Sequence, residues 1–562
     1  MAQIEINHLT FAYPPGDPPA LRDICLHIPE NEFLVLCGPT GCGKSTLLRH
    51  FKRELWPHGR RSGVVLYDGV SLDQIDARQS MRIGFVQQNP STQIVTDMVW
   101  HELAFALENL ALPNATIRQR VAELACFFGI DGWFRRPVRE LSGGQKQMLN
   151  LAAVMVTQPK VLILDEPTAQ LDPIAAQEFL EMVRRINWEL GVTVILTEHR
   201  LEEVFSVADR VAVMGSGSIR IQGTPLEVGT TLSEDPKDTV AKGLPTPLRI
   251  YREVAQGDCC PLTIRDGRLW LRSLIPADTT SIQQERITVR DGFGPVVVES
   301  KDLWFRYQRS GADVLRGLSV VLRSGEIHCI LGGNGSGKTT LLSVLAGLNS
   351  PYRGRVLLGG KDIRRLAAAQ LYRGNLALLP QNPRALFSRD RVKKELHVVA
   401  EERMDDIESA HARVQELTSE LGLEGLLDCH PYDLSAGEQQ KVALAMMLLL
   451  NPKILLMDEP TKGLDAEAKE ALGTLLERLK RQGICITMAT HDVEFAALFA
   501  DRCSLLFDGA IAAENPPQAF FAGNSFYTTA ANRMARDVFP WAVTVKEVGE
   551  ACRTSLLVAD PR

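Results

Sequence analysis

Two glycine-rich segments of the chain have the residue types and the spacing that hold phosphate groups. Both fit the pattern G-x-x-x-x-G-K-[ST], in which backbone N–H groups curl around phosphate oxygens and the following helix presents its positive end to the same anion. Lys44 and Lys338 should reach the outer phosphates, and the hydroxyl groups of Ser45 and Thr339 should bind Mg²⁺. The predicted nucleotide-binding residues of the two loops are Gly38, Pro39, Thr40, Gly41, Cys42, Gly43, Lys44, Ser45 and Thr46, and Gly332, Gly333, Asn334, Gly335, Ser336, Gly337, Lys338, Thr339 and Thr340.

An acidic pair follows an apolar run in each half of the chain. Asp165 and Asp458 each end a predicted strand, which places the carboxylate beside the phosphate loop, where it can hold Mg²⁺ through water. The next residues, Glu166 and Glu459, can orient and deprotonate an attacking water. An acidic pair at a strand end can also be merely solvated. The catalytic interpretation is favoured because both copies lie within the same DEPT sequence.

The chain contains an internal repeat. Lysines 44 and 338 are 294 residues apart, serines 142 and 435 of the segments LSGGQKQ and LSAGEQQ are 293 apart, and aspartates 165 and 458 are also 293 apart. Motifs that recur in one order and at nearly one spacing predict a duplicated domain.

Apolar runs before glycine turns predict the strands that must position these residues. They alternate with longer helical patterns such as QKQMLNLAAVMV, and this alternation predicts a mostly parallel sheet covered on both faces. The predicted strands are residues 33–37, 161–164 and 192–196 in the first repeat, and 327–331, 454–457 and 484–488 in the second.

Composition shifts indicate four segments. We predict an ATP-binding domain over residues 1–235, a linker and tail of that domain over 236–295, a second ATP-binding domain over 296–525, and a C-terminal extension over 526–562. The linker is rich in Pro, Gly and Asp, and its apolar stretch LTIRDGRLWLR is expected to pair as strands.

The combination of LSGGQ, LDEPT, a downstream LD and a downstream histidine resembles the ABC ATPases, and the resemblance covers both repeats. It implies an α/β fold of two P-loop NTPase (RecA-like) nucleotide-binding domains, each with an antiparallel β subdomain and a helical signature subdomain. It also implies ATP hydrolysis with ATP and Mg²⁺ as cofactors.

The same resemblance implies roles for residues outside the loops. Gln88 and Gln381 resemble the Q-loop glutamines, which sense Mg²⁺ and the attacking water and connect to a membrane partner. His199 and His491 resemble the switch histidines that contact the γ-phosphate.

The resemblance also implies roles for two aromatic and two acidic residues. Tyr13 and Tyr307 resemble the aromatics that stack on adenine, although each could be an ordinary strand residue. Asp172 and Asp465 resemble D-loop residues at the domain interface.

In this family the signature segment of one domain completes the site of the other. Ser435 and Gly437 would close the site built on the first loop, and Ser142, Gly144 and Gln145 would close the second. Both domains are on one chain, so the domain dimer is expected to be intramolecular.

The second signature departs from the pattern, with Ala436 and Glu438 where the first has glycine and glutamine. The alanine adds a Cβ and the glutamate a negative charge near a triphosphate. We therefore expect the site built on Lys44 to turn over more slowly than the site built on Lys338.

The segment after Gln88, QNPSTQIVTDMVWHELAFALENLALP, resembles the ATPases of energy-coupling-factor (ECF) importers of vitamins and metal ions, a cobalt, nickel or thiamine-like class. The tail SFYTTAANRMAR is similar to that of its fused members, whereas VQQ stands where VFQ is usual. The implied partners are a T-type transmembrane scaffold, gripped by residues 88–109, and a substrate-binding membrane protein. The alternative is a generic helical subdomain of any ABC importer.

Bulk composition limits the remaining classes. The 562 residues have a net charge of -6, which argues against a nucleic-acid partner. Neither a run of about 20 apolar residues nor a secretory signal is found, so we expect a peripheral protein at the cytoplasmic face of the membrane. The 11 cysteines include no CxxC pair, which argues against disulfides and a cysteine zinc site.

Three other functions are alternatives to the ECF prediction. An exporter ATPase is opposed only by the QNP segment. A soluble translation-associated twin-ABC ATPase would need a basic helical arm, which residues 230–300 lack. A DNA-repair ATPase would need a long insertion between Lys44 and Ser142, which are 98 residues apart.

Overall fold

The computed structural model forms two compact units, residues 1–267 and 268–562, each holding one repeat. The structure describes residues 2–14, 18–169, 171–198, 201–234, 238, 240–254, 260–275, 293–403 and 406–559.

The first unit contains two sheets. One has the strand order β2-β1-β4-β5 and is antiparallel. The other has the order β10-β9-β3-β8-β7-β6 and is parallel except at its β9–β10 edge. The strands are β1 (Ala2–Ala12), β2 (Leu21–Pro29), β3 (Phe33–Cys37), β4 (Arg60–Tyr67), β5 (Val70–Ser71), β6 (Ile83–Val86), β7 (Val161–Asp165), β8 (Thr193–Thr197), β9 (Arg210–Gly215) and β10 (Ser218–Gly223).

Eleven α-helices are described between residues 44 and 274. They are α1 (Lys44–His50), α2 (Ala77–Ser80), α3 (Pro90–Gln93), α4 (Val99–Asn109), α5 (Asn114–Phe128), α6 (Gly143–Met155), α7 (Pro173–Leu190), α8 (Leu201–Val204), α9 (Pro225–Glu234), α10 (Thr246–Val254) and α11 (Ile264–Leu274), of which the last crosses the boundary between the units. Short 3-10 turns occur at Arg53–Leu55, Asp131–Trp133, Val138–Glu140 and Val240–Gly243.

Strand β3 shows why its sequence is an unbroken apolar run. Phe33, Val35 and Cys37 pack into a core with the helical side of the unit, while Leu34 and Leu36 pack into a second core with the antiparallel sheet. Alternate residues of a strand point to opposite faces, so a sheet covered on both faces needs apolar residues at every position.

The second unit repeats this topology, with sheets β12-β11-β14-β15 and β16-β17-β18-β13-β19-β20. Its strands are β11 (Val296–Phe305), β12 (Leu315–Arg323), β13 (Ile327–Leu331), β14 (Arg353–Leu358), β15 (Lys361–Asp362), β16 (Leu376–Leu379), β17 (Ile454–Asp458), β18 (Cys485–Thr490), β19 (Arg502–Phe507) and β20 (Ala510–Asn515). Its helices are α12 (Lys338–Leu345), α13 (Ala368–Tyr372), α14 (Val392–Glu401), α15 (Ile407–Leu421), α16 (Ala436–Leu449), α17 (Ala466–Arg481), α18 (Val493–Phe499), α19 (Pro517–Gly523), α20 (Ala530–Ala535) and α21 (Val545–Ala559), with 3-10 turns at Ile363–Arg365, Pro383–Leu386, Glu424–Leu426 and Pro431–Asp433.

The predicted architecture of two similar α/β units is confirmed. All six predicted strands form, as β3, β7, β8, β13, β17 and β18. The domain boundaries at 235, 295 and 525 stay predictions.

The expectation of strands in LTIRDGRLWLR is wrong, because these residues lie mostly in helix α11. Gly267, Trp270, Leu271 and Ile275 are buried, whereas Leu269 is exposed. Burial at spacings of three and four residues is the helical period, and it outweighs the local alternation of apolar and polar residues.

The C-terminal extension is a packed part of the second unit. The hydroxyl of Thr529 donates to the carbonyl of Val543 at 2.7 Å. The amide Nδ2 of Asn532 donates to the carbonyls of Pro540 and Ala542, both at 3.0 Å. These bonds fix the turn between α20 and α21.

Within the part of the chain that the structure describes, no helix combines the length and the apolar character needed to cross a bilayer.

A glycine in α17 leaves room for an aromatic ring. A Cβ added to Gly473 would lie 2.3 Å from Cζ of Phe499 and 2.4 Å from both Cε atoms. Because the ring would have to move, we expect Gly473→Ala to lower the free energy of unfolding by about 1–3 kcal/mol, measured as a lower urea midpoint in circular dichroism. Gly523→Ala in α19 is the control, since its added methyl meets nothing within 4 Å. Equal losses in both variants would contradict the packing argument.

Candidate functional site

The two phosphate loops follow β3 and β13 and open helices α1 and α12. Gly38 and Gly332 turn the chain at the strand ends with φ of 150° and 157°. A Cβ on Gly38 would lie 2.4 Å from the carbonyl of Met214, and one on Gly332 would lie 2.5 Å from that of Leu506. Only glycine fits these two positions. With glycine there, the backbone can make the sharp turn that lets its N–H groups surround a phosphate.

The loop lysines point back into the cradles. Lys44 Nζ donates to the carbonyls of Gly38 and Pro39 at 2.8 and 3.1 Å. Lys338 Nζ donates to the carbonyls of Gly332 and Gly333 at the same two distances. Both ammonium groups are buried, so a phosphate that entered either loop would meet a positive charge shielded from water.

Asp165 ends β7 beside the first loop. Its Oδ1 accepts hydrogen bonds from the hydroxyls of Ser45 at 2.9 Å and Thr197 at 3.0 Å. Burial, together with the neighbouring Glu166 carboxylate, raises the pKa of Asp165. A cation at this position would relieve that cost, because it would favour the ionised carboxylate.

Asp458 ends β17 in the equivalent place. Its Oδ1 is buried without a hydrogen-bond partner among the described residues, and burial raises its pKa. The hydroxyl of Thr339 also bonds to this carboxylate. An orphaned carboxylate oxygen beside a hydroxyl is the hard-oxygen donor set that Mg²⁺ prefers, so these residues fit the ion.

Glu166 and Glu459 both have left-handed backbones, with φ of 44° and 52°. Both side chains lie in the interior. Gln88 Nε2 donates to Glu166 Oε2 at 2.7 Å. The structure therefore brings together the predicted Q-loop glutamine and the predicted base of the first repeat.

Glu459 lies beside His491 and Lys338. Its Oε2 lies 2.8 Å from Nδ1 of His491, and its Oε1 lies 3.9 Å from Nζ of Lys338. Burial alone would raise the pKa of Glu459, but the hydrogen bond and charge of His491, together with Lys338, lower it. Gln381 lies on the surface. The predicted histidine of the first repeat, His199, lies outside the described residues.

The signature serines begin helices. Ser142 caps α6 and accepts a hydrogen bond from the backbone N–H of Gln145, the residue after Gly144. Ser435 caps α16, the helix that contains Gly437, and its hydroxyl donates to Oε2 of Glu438 at 2.7 Å.

The predicted D-loop aspartates are also caps. Asp172 accepts from the N–H of Ala175 at 2.8 Å at the start of α7, and Asp465 accepts from the N–H of Ala468 at 2.9 Å at the start of α17. Helix capping therefore explains in part why an aspartate is found at this position in each unit.

The predicted adenine-stacking tyrosines lie at the loop rims. The hydroxyl of Tyr13 is 3.1 Å from Oγ1 of Thr46, and that of Tyr307 is 3.0 Å from Oγ1 of Thr340. The Tyr307 residue is 65% exposed, which leaves its ring available to a planar ligand.

Glu198 was missed by the sequence reasoning. It is buried, and its Oε1 accepts from the backbone N–H of Thr168 at 2.9 Å and from the hydroxyl of Thr168 at 2.7 Å. It thereby ties the residue after the DEP sequence to the end of β8. The second repeat has Thr490 before its histidine, and this difference between TEHR and ATHD is the signal that could have indicated it.

Fold and site together define a class, a P-loop nucleotide-binding protein with two glycine loops that each lead from a buried strand into a helix. The ABC transporter family model matches residues 21–169 and 315–462, once in each repeat. The chain belongs to the ABC transporter family, as an ATP-binding subunit, and it is an ATPase.

Full-length relatives agree with this assignment. The chain is 42% identical over 99% of its length to an ABC transporter ATP-binding protein of Bacillus anthracis, of which it covers 100%. It is 35% identical over 98% of its length to one of Streptomyces coelicolor, again covering 100% of the relative. Among solved structures, cbiO1 of Clostridium perfringens, described as part of the ABC transporter complex cbiONQ, has a TM-score of 0.39 and 26% identity, covering 47% of this chain and 99% of that one.

Proposed function

We propose that this chain is the ATP-hydrolysing subunit of an ECF-type importer of a vitamin of the thiamine-like class or of a metal ion such as cobalt or nickel. The resemblance of residues 88–109 to the ATPases of that class supports the proposal. The chain would lie peripherally at the cytoplasmic face of the membrane, bound to a T-type transmembrane scaffold and working with a substrate-binding membrane protein.

The observation that carries the proposal is a bonded connection from the base to the Q-loop segment. Gln88 bonds to Glu166, as described above. Five residues later, Gln93 Nε2 donates to the carbonyl of Phe85 in β6 at 2.9 Å. The turn is therefore attached to the sheet edge at both ends, and a shift of the carboxylate would move it.

Beyond this turn the surface is apolar and exposed. The buried carboxylate of Glu102 accepts from the N–H groups of Val95 at 3.1 Å and Thr96 at 2.7 Å, which fixes the approach to α4. Val95 is 67% exposed and Trp100 is 41% exposed. Exposed large apolar groups on a rigid turn are suited to packing against a helix of a partner protein.

Hydrolysis would occur in two composite sites. Ser435 and Gly437 would close the site of the first loop, and Ser142, Gly144 and Gln145 would close that of the second. Closure on two ATP molecules would press on the scaffold through the Q-loop segments. Charge repulsion between the products would then help to reopen the domain dimer.

Each site would use its own carboxylate as base and Mg²⁺ as cofactor. Glu166 and Glu459 would accept the proton of the attacking water. His491 and Lys338 lower the pKa of Glu459, so the group stays ionised at neutral pH and can accept a proton, but as a weaker base. When bound, Mg²⁺ supplies electrostatic stabilisation of the phosphate oxygens. The residues that would hold it are Ser45, Gln88, Asp165, Thr339, Gln381 and Asp458.

The two sites would differ in rate. Ser435 would have to donate its hydroxyl proton to the γ-phosphate in the site built on Lys44, but that proton is donated to the Glu438 carboxylate. A charge-assisted bond must break, and two negative groups must approach. Gln145 presents a neutral amide in the other signature. We therefore propose that the site built on Lys338 supplies most of the turnover.

The partner proposal is tested by affinity purification of the tagged chain from detergent-solubilised native membranes. We expect a multi-span membrane protein to be recovered with the wild type. Val95→Asp/Trp100→Ala should reduce recovery at least about tenfold while the isolated chain keeps its ATPase activity. Trp188→Ala is the matched control, because Trp188 is an exposed aromatic on α7.

Two outcomes would contradict the proposal. Recovery of ribosomes in place of a membrane protein would support the translation-associated alternative. Vesicles of the purified complex that move their cargo outward would support an exporter.

A further inference from the structure

A second group of coordinating side chains lies in the helical subdomain of the second unit. His397 and Glu401 are on α14, and His411 is on the neighbouring α15. One imidazole nitrogen of each histidine and one carboxylate oxygen all lie within 4.8 Å of one another. None of these residues belongs to the nucleotide site.

The spacing suits a metal ion of the first transition series. His411 Nε2 lies 3.4 Å from Oε1 of Glu401. Two ligands bonded to one tetrahedral Zn²⁺ at about 2.0–2.1 Å are separated by roughly the same distance. His397 and Glu401 are four residues apart on a helix and so share a face. The exposed side chains of Glu401 and His411 can close the remaining gap by rotamer changes.

His397 provides independent support. Its Nδ1 is buried without a hydrogen-bond partner among the described residues. Its ring meets that of His411 edge to face, with centroids 4.5 Å apart. Burial, together with the charges of His411 and Lys393, lowers the pKa of His397, whereas the charge of Glu401 acts in the opposite direction.

The first repeat lacks this group. Helices α4 and α5 correspond to α14 and α15, and the positions 293 residues before the two histidines hold Ala104 and Arg118. The glutamate is kept as Glu108. The same helix pair thus folds without either histidine, so the imidazoles are not required by the packing.

We propose that His397, Glu401 and His411 form a binding site for one borderline divalent cation, of which Zn²⁺ is the type, and that the ion joins α14 to α15. The donor set is two imidazoles and one carboxylate, with a fourth position open to water. The positive charge of Lys393 opposes the negative charge of Glu401 near His397, so the ion is held mainly by direct ligation. Hard ions such as Mg²⁺ and Ca²⁺ prefer oxygen ligands and bind weakly here.

The test is calorimetric titration of the full-length chain with Zn²⁺, repeated with Mg²⁺. A second exposed cluster, His8, Asp23 and Cys25, could also take Zn²⁺, so every protein carries Cys25→Ser. The double variant His397→Ala/His411→Arg replaces each histidine with the residue at the corresponding position of the first repeat. Glu402→Gln, at the end of α14, is the matched control.

We expect the double variant to bind one Zn²⁺ fewer than its parent, or to bind it at least tenfold more weakly. Zn²⁺ should raise the melting temperature of the parent and of Glu402→Gln, but not that of the double variant. Equal stoichiometry, affinity and thermal shift in the parent and the double variant would overturn the proposal. So would equal binding of Mg²⁺.

Discussion

Glu459→Gln is expected to reduce steady-state ATP turnover of the purified chain by about 10²–10³-fold, because it removes the proposed base of the faster site. Glu166→Gln is expected to leave about half or more of the wild-type rate, since the site that it disables is the one closed by the Glu438 signature. Phosphate release at saturating ATP measures both. The amide keeps the shape of the side chain, so the comparison isolates the carboxylate.

The asymmetry has a matched control in Glu438→Gln, which restores the first-repeat residue. This change should raise the turnover that remains in Glu459→Gln, because Ser435 would then face a neutral amide. Equal losses of turnover in Glu166→Gln and Glu459→Gln would contradict the proposed difference between the sites. They would indicate that hydrolysis at the two sites is coupled.

Lys338→Met should weaken ATP binding at the faster site by about 10²–10³-fold, and turnover should fall with it. The buried ammonium is the positive charge that the loop places within reach of a phosphate, and removing one partner of a buried charge pair costs about 2–5 kcal/mol. Equilibrium binding of a fluorescent ATP analogue measures the loss as one fewer tight site.

Lys361→Met is the control for this measurement, because that lysine is exposed on β15. Lys44→Met should also remove one tight site, but with a smaller fall in turnover. Two tight sites in Lys338→Met would contradict the role given to the lysine.

The fold was predictable because its signals are strong and repeated. Buried strands such as β3 and β13 read as unbroken apolar runs, and each glycine loop follows one of them. Helix α11 was missed because its polar residues alternate locally with apolar ones, and only the burial of Trp270 and Leu271 shows which period the packing selects.

The site was predictable in residue type but not in pairing. The motifs identify Glu166 and Glu459 equally, but they do not show that Gln88 bonds to the first or that His491 contacts the second. Such a choice depends on side-chain rotamers and on burial, which motif spacing does not encode. Glu198 and the histidine group were missed because each differs between the repeats, and the predictions relied on residues that recur.

The left-handed backbone of Glu166 and Glu459 has a consequence for thermostability. A left-handed backbone costs a residue with a side chain about 1–3 kcal/mol, and these glutamates are two of the twelve described non-glycine residues with positive φ. Glycine at either position would relieve the backbone strain and raise the melting temperature of that unit, but it would remove the carboxylate and abolish hydrolysis at that site. Natural or engineered adaptation to high temperature must therefore act elsewhere in the molecule, because the proposed catalysis requires a carboxylate side chain at these two strained positions.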